Sequence, residues 1–254
     1  RPEGAGPFPA VVDLHGGAWN TGSLENCTAR DEALCAAGFA VAALDFRQGP
    51  DPYPSSLADI NYGVRWLKSR AGDLGIDAAR LGSIGQSSGG HLAMLAAMRP
   101  DDPRYAEIPL DDGAGVDARV KCVGMIWPVI NPLSRYRHAL RQRAATPPAE
   151  WVKDIPERHD TYWGDEAAMA EGNPVTALES GEAVETPPAI WIQGRPDIVH
   201  DYRDLDSDAD VNEPERFARA YRGAGGEIDV VYIDNEVKTT AHIEPLMGFL
   251  KKNL

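Results

Sequence analysis

Leu81-Gly82-Ser83-Ile84-Gly85-Gln86-Ser87-Ser88-Gly89-Gly90-His91 decides how the chain reads. Leu81 to Ile84 has the character of a short buried strand, the glycines mark a very tight turn, and the run through Met98 continues as a helix. The turn carries Gly-x-Ser-x-Gly with Ser87 at its centre. A serine held there is forced into a strained backbone conformation at the tip of a strand, its hydroxyl clear of the sheet and facing the N–H groups of the following helix. Strand and helix nearly collide two residues either side of it, so both flanking positions must be small. Gly85 and Gly89 satisfy that; the neighbouring frame, centred on Ser88, would place Gln86 at a tight position. Ser87 is therefore the candidate nucleophile.

Working outward, alternation of strands and helices covers nearly the whole chain. Phe8 to Leu14, Phe39 to Asp45, Cys122 to Val129, Pro188 to Gly194 and Asp229 to Asp234 read as further strands. Helices are expected over residues 24–37, from Ser55 to about Ala71, from Glu213 to Ala224 and in the last residues before Leu254. Residues 101–117 read as loop. Such alternation predicts an α/β fold with a mostly parallel sheet covered on both faces. From Asn131 to about Ser180 the strand pattern stops. Arg135, Arg137, Arg141 and Arg143 are followed by Pro147-Pro148 and by Trp151, Tyr162 and Trp163. The expected organisation is a core of residues 1–130 and 181–254 with a helical lid at 131–180, the lid aromatics either lining a pocket or pinning the lid down. The arginines are expected to be solvated or paired with acids, with a role in binding a substrate carboxylate as the lesser alternative.

Sites in such sheets form beyond the carboxyl ends of the strands. Four polar features fall there: His15-Gly16-Gly17-Ala18-Trp19, Ser87, Asp197 and His242. The glycine pair lets backbone approach a ligand closely and exposes N–H groups. The N–H groups of Gly17, Ala18 and Ser88 are the candidate oxyanion hole, each able to stabilise a developing oxyanion by roughly 3 kcal/mol, with His15 as an orienter of the loop. Serine needs a neighbouring base, and histidine takes and returns a proton near neutral pH. His242, after the last strand, is the expected base; Asp197, directly after the penultimate one, is the expected carboxylate that fixes its tautomer, ahead of Asp201 and Asp204. His91 is read as a packed residue of the elbow helix and His138 and His159 as part of the polar lid; His200 could touch the site but has no partner to argue for it.

Together these segments resemble an α/β-hydrolase of the carboxylesterase type, in its hormone-sensitive-lipase-like and feruloyl-esterase-like branches. The resemblance is carried by His15-Gly16-Gly17-Ala18-Trp19, Tyr53-Pro54, Leu74-Gly75-Ile76-Asp77, Gly85-Gln86-Ser87-Ser88-Gly89-Gly90-His91, Gly194-Arg195-Pro196-Asp197 and His242. It implies hydrolysis of small carboxylic esters through an acyl-enzyme, with no cofactor and no metal. The alternatives are an amidase such as an arylformamidase, or an inactive binding module on the same fold. That family usually has two strands before the first one here, so N-terminal strands are expected to be missing.

Composition narrows the partners. Of 254 residues, 39 are acidic and 25 basic, a net charge of −14. Such a surface repels phosphate backbones and anionic headgroups, so neither nucleic acid nor membrane docking is expected; a homodimer is compatible with it. Three cysteines form no disulfide framework and suit a reducing, cytoplasmic setting, although the chain opens on Arg1-Pro2-Glu3 without methionine, which leaves export open. The acidic run from Asp204 to Glu215 has carboxylates at the spacing of an EF-hand loop, but Ala209 stands where that loop needs glycine; a solvated acidic loop capping the next helix is the simpler reading.

Overall fold

A computed structural model of the protein describes residues 1–111, 115–235 and 240–254. Parts of the loops expected at 101–117 and ahead of His242 lie outside these residues.

Six strands form one sheet: β1 (Phe8–Leu14), β2 (Ala40–Leu44), β3 (Ile76–Gln86), β4 (Val123–Ile126), β5 (Ala189–Arg195) and β6 (Ile228–Asp234). Their order is β2-β1-β3-β4-β5-β6, and every neighbouring pair runs parallel. The expected α/β-hydrolase arrangement is thus present. β3 starts earlier than the sequence pattern suggests: Ile76 pairs with Phe8, and after a register shift Leu81 pairs with Ala10.

Period-2 alternation sorts the strand side chains into two cores. Val12, Leu14, Leu81, Met125 and Trp191 face one side, where α2 (Ser55–Ser69), α4 (Ser88–Met98) and α9 (Glu213–Gly223) supply Leu57, Ile60, Leu92, Leu95 and Phe217. Val11, Ile84, Ile126, Ile190 and Ile192 face the other, covered by Leu34 of α1 (Thr28–Ala36) and by Leu246, Phe249 and Leu250 of α10 (Ile243–Asn253). α3 (Ala71–Leu74) is a single turn leading into β3. Burial on both faces explains why the strands read as continuous apolar runs rather than alternating ones.

Between β4 and β5 the chain is helical: α5 (Pro132–Ala144), α6 (Ile155–Trp163), α7 (Glu166–Glu171) and α8 (Pro174–Glu179). Side chains start three of these helices. Asn131 accepts from Ser134 N–H, Asp165 from Ala168 N–H, and Asn173 from Val175 N–H, and proline occupies the first turn of α5, α6 and α8, where its missing donor costs nothing. Tyr162 and Trp163 are buried and form one aromatic cluster with Trp19, His91 and His159. These two aromatics hold the helical segment onto the body. All three cysteines are free thiols, and among the described residues no helix is long and apolar enough to cross a membrane.

Candidate active site

The elbow at Ser87 has the expected strain. Its φ of 53° and ψ of −119° lie in a region side-chain-bearing residues rarely adopt, a cost of order 1–3 kcal/mol that the surrounding packing must hold. The close approach is explicit: a Cβ on Gly85 would sit 2.3 Å from the Gly89 carbonyl oxygen, and one on Gly89 would sit 2.3 Å from the Leu14 carbonyl oxygen. Backbone bonds fix the turn from both sides, with Ser87 N–H donating to Ile126 O (2.8 Å) and Val129 N–H donating to Ser87 O (3.1 Å). From beneath, buried Arg30 makes a two-pronged bond to Asp13 (2.7 and 2.6 Å) and reaches Gln86 Oε1 at 3.2 Å.

The structure places the His200 ring beside Ser87. Ser87 Oγ lies 3.2 Å from His200 Nε2, and His200 Nδ1 lies 2.9 Å from Asp197 Oδ2. The reason is local. Asp197 Oδ1 accepts from the N–H groups of Val199 (2.8 Å) and His200 (3.1 Å), and Asp201 N–H bonds back to Asp197 O. This turn folds the ring three residues on back over its own carboxylate, at little loop-closure cost. His242 arrives from β6, three strands from β3, and begins α10; it is buried with its ring edge-on to Trp127, centroids 5.2 Å apart. The sequence reading expected His242 as the base, whereas the ring found within hydrogen-bond distance of Ser87 Oγ is that of His200. The Asp-x-x-His spacing was the sequence signal for His200.

Of the three acids weighed, Asp197 alone meets an imidazole. Asp201 pairs with Arg195 (2.5 Å) and Asn212 (2.7 Å), and Asp204 pairs with Arg216 (2.8 Å). Burial would raise the Asp197 carboxyl, but the bonds from His200 and from two backbone amides outweigh it and hold it below its ordinary value. Burial pulls the His200 imidazole below its ordinary value, against the opposing pull of Asp197. With Nδ1–H donated to Asp197, Nε2 is left unprotonated and faces the Ser87 hydroxyl.

The glycine loop closes over the elbow. A Cβ on Gly16 would meet Ser87 Cβ at 3.3 Å. Gly17, Ala18 and Trp19 all have positive φ, of 123°, 50° and 61°, and Gly17 O accepts from Asn20 and Thr21 N–H, so the loop curls back on itself. His15 is buried, stacked on Phe46 with centroids 4.4 Å apart. Fully buried Trp19 donates Nε1–H to His91 Nδ1 (3.3 Å), and His91 passes its Nε2–H to Gly172 O (2.8 Å). This relay ties the loop to α4 and to the helical segment, and burial pushes His91 down to about 4, so it stays neutral.

The EF-hand-like run is committed elsewhere. Asp204 and Asp206 pair with Arg216 and Arg141, and among the described residues no group of three or more His, Cys, Asp or Glu is arranged to hold a metal ion.

A family model described as BD-FAE matches residues 1–202. Esterase LipC of Mycobacterium tuberculosis is 32% identical over 121 residues, 46% of this chain and 30% of that protein. The ethyl acetate hydrolase of Pseudomonas putida is 38% identical over 94 residues, 35% of this chain and 28% of that protein. These matches span less than a third of the relatives' own length. In fold, the chain superposes on a thermophilic esterase from Thermogutta terrifontis with a TM-score of 0.70 at 22% identity, covering 98% of this chain and 82% of that one. A hyperthermophilic esterase from Pyrobaculum calidifontis gives 0.68 at 22%, covering 99% and 75%.

Proposed function

Because the chain belongs to the BD-FAE family, we propose that it is a serine hydrolase of carboxylic esters working through an acyl-enzyme. One observation carries this reading: the run of hydrogen bonds Ser87 Oγ–His200–Asp197 at a strained strand-to-helix elbow.

Ser87 Oγ attacks the ester carbonyl while its proton passes to His200 Nε2, and Asp197 stabilises the imidazolium that results. The negative oxygen of the tetrahedral intermediate is received by the N–H groups of Gly17, Ala18 and Ser88. The intermediate collapses by breaking the bond to the alcohol oxygen, which takes the proton back from His200. Water then repeats the sequence on the acyl-serine and releases the acid. The depressed basicity of His200 keeps it in the neutral form at pH 7. The helical segment 131–180 serves as the lid over this edge.

A second reading gives the base's task to His242. It is favoured by that ring's packing on Trp127, which directly follows the Ile126 carbonyl bound by Ser87 N–H. Ester rather than amide hydrolysis is the primary reading because the relatives are named as esterases and ester hydrolases.

The test is a fluorophosphonate probe with peptide mapping, run beside 4-nitrophenyl butyrate turnover. Label on Ser87, lost together with turnover in Ser87→Ala, is the expected result. Turnover at the parental rate in Ser87→Ala would overturn the proposal.

A further inference from the structure

β5 ends beside the site, and one of its side chains breaks the apolar pattern of the sheet. Ala189 and Trp191 face the core built on α9, as their spacing of two requires. Gln193 is next on that face and is fully buried. A buried primary amide is costly unless its oxygen and both N–H groups are bonded. Here all three are. Trp191 Nε1–H donates to Gln193 Oε1 at 3.0 Å, and Gln193 Nε2 donates to Gly194 O and to Asp197 Oδ2, each at 3.0 Å. The indole fixes which end of the amide carries the oxygen, so the end that meets Asp197 is the donor.

The bond to Asp197 falls where it affects the chemistry. His200 Nδ1 approaches the same oxygen, Oδ2, at 2.9 Å, while Oδ1 takes the N–H groups of Val199 and His200. Those two amides belong to the turn and hold one carboxylate oxygen; Gln193 reaches the other from the sheet. Two separate elements thus fix the plane of the carboxylate, and Oδ2 is kept on the line to His200 Nδ1. A donor on Oδ2 also draws on the electron density that stabilises an imidazolium. Gln193 therefore aims the carboxylate and restrains how strongly it supports charge on His200.

We propose that Gln193 is a positioning residue for the serine hydrolase reaction, acting on His200 through the shared oxygen of Asp197. This rests on the ester-hydrolase reading and adds to its site a residue that touches no reacting atom. Other titratable groups surround His200. Arg135 of α5 opposes charge on the ring, Tyr202 and Glu213 line the small space beside it, His138 bonds the Ile198 carbonyl within the turn, and His242 rests on Trp127. All of them are the same in the parent and in Gln193→Met, the variant that tests the proposal.

Gln193→Met keeps the length and volume of the side chain and removes the donor. His200 should become more basic, because its carboxylate loses a competing donor. The titration midpoint of the ring, followed by NMR and assigned by the resonance missing in His200→Gln, should rise by about 0.5–1 pH unit. The acid limb of kcat/KM for 4-nitrophenyl butyrate should move up by the same amount, with kcat above the limb lowered about 10-fold and KM within about two-fold of the parent. A lowered Tm with both midpoints unmoved is what loss of packing alone would give, and it would overturn the proposal. A second measurement needs no variant. In the parent, the side-chain N–H resonances of Gln193 should shift with the same midpoint as the His200 ring, since both donate to Oδ2; resonances constant through that titration would also overturn the proposal. Failure of Ser87 labelling with the His200 shift intact would instead overturn the ester-hydrolase reading and leave the hold of Gln193 on Asp197 standing.

Discussion

Asp197→Asn isolates the part of the site on which the chemistry depends most. Four donors converge on the carboxylate. Oδ1 accepts from Val199 N–H and His200 N–H, and Oδ2 accepts from His200 Nδ1 (2.9 Å) and Gln193 Nε2 (3.0 Å). Asparagine can keep the two backbone bonds only by pointing its amide nitrogen at His200 and Gln193. His200 adapts by moving its proton to Nε2, which then faces Ser87 Oγ as a donor and cannot accept the serine proton. Gln193 has no such freedom, because its Oε1 accepts from Trp191 Nε1 and its Nε2 also donates to Gly194 O. Flipping the amide merely moves the conflict onto two backbone donors. The wrong tautomer should lower kcat on 4-nitrophenyl butyrate by about 10⁴, the size seen when serine hydrolases lose this carboxylate. The buried donor–donor contact should cost about 1–3 kcal/mol, a fall in Tm of roughly 3–10 °C for a chain of this size. Stopped-flow or steady-state release of 4-nitrophenolate gives the first number and calorimetry the second. A kcat within ten-fold of the parent at unchanged Tm would refute the reasoning.

Two further outcomes follow from the same contacts. Burial pushes His91 to about 4 and His159 to about 3, so between those values and the ordinary imidazole range near 6.5 the unfolded chain binds protons that the folded chain refuses. Stability from these two groups is complete above about pH 6.5 and is lost as pH falls toward 4, by up to about 1.4 kcal/mol per pH unit for each; urea midpoints at pH 7.5, 6 and 5 should fall, and less steeply in His159→Gln, whereas parallel profiles for the two chains would contradict this. Trp163→Ala empties a buried site bounded by Trp19, Tyr53, His91 and Tyr162 and should cost about 3–5 kcal/mol, read as a Tm lowered by about 10 °C; a shift under 2 °C would mean these rings do not hold the helical segment down.

Much of this molecule was legible from the chain. Gly85 and Gly89 announced a strand and helix in near collision, and the apolar runs announced strands buried on both faces. Asp197 could be preferred over Asp201 and Asp204 because it alone follows a strand end without delay. His200 was not legible by the same reasoning. Placing functional groups by strand ends looks for partners distant in sequence, while a carboxylate that accepts the amides two and three residues on folds its neighbour back over itself. Strand-end reasoning therefore led to His242, which the structure packs on Trp127. The lid aromatics could be read as pocket or as anchor until Trp19 was seen to gather two of them.

The most direct measurement is the acylation rate of Ser87 by 4-nitrophenyl butyrate in His200→Ala and His242→Ala, taken side by side under single-turnover conditions. The hydrogen bonds from Ser87 through His200 to Asp197 predict a loss of at least about 10³-fold in His200→Ala and a rate within ten-fold of the parent in His242→Ala. The reverse pattern, with His242→Ala inactive and His200→Ala near the parental rate, would contradict the assignment of the base.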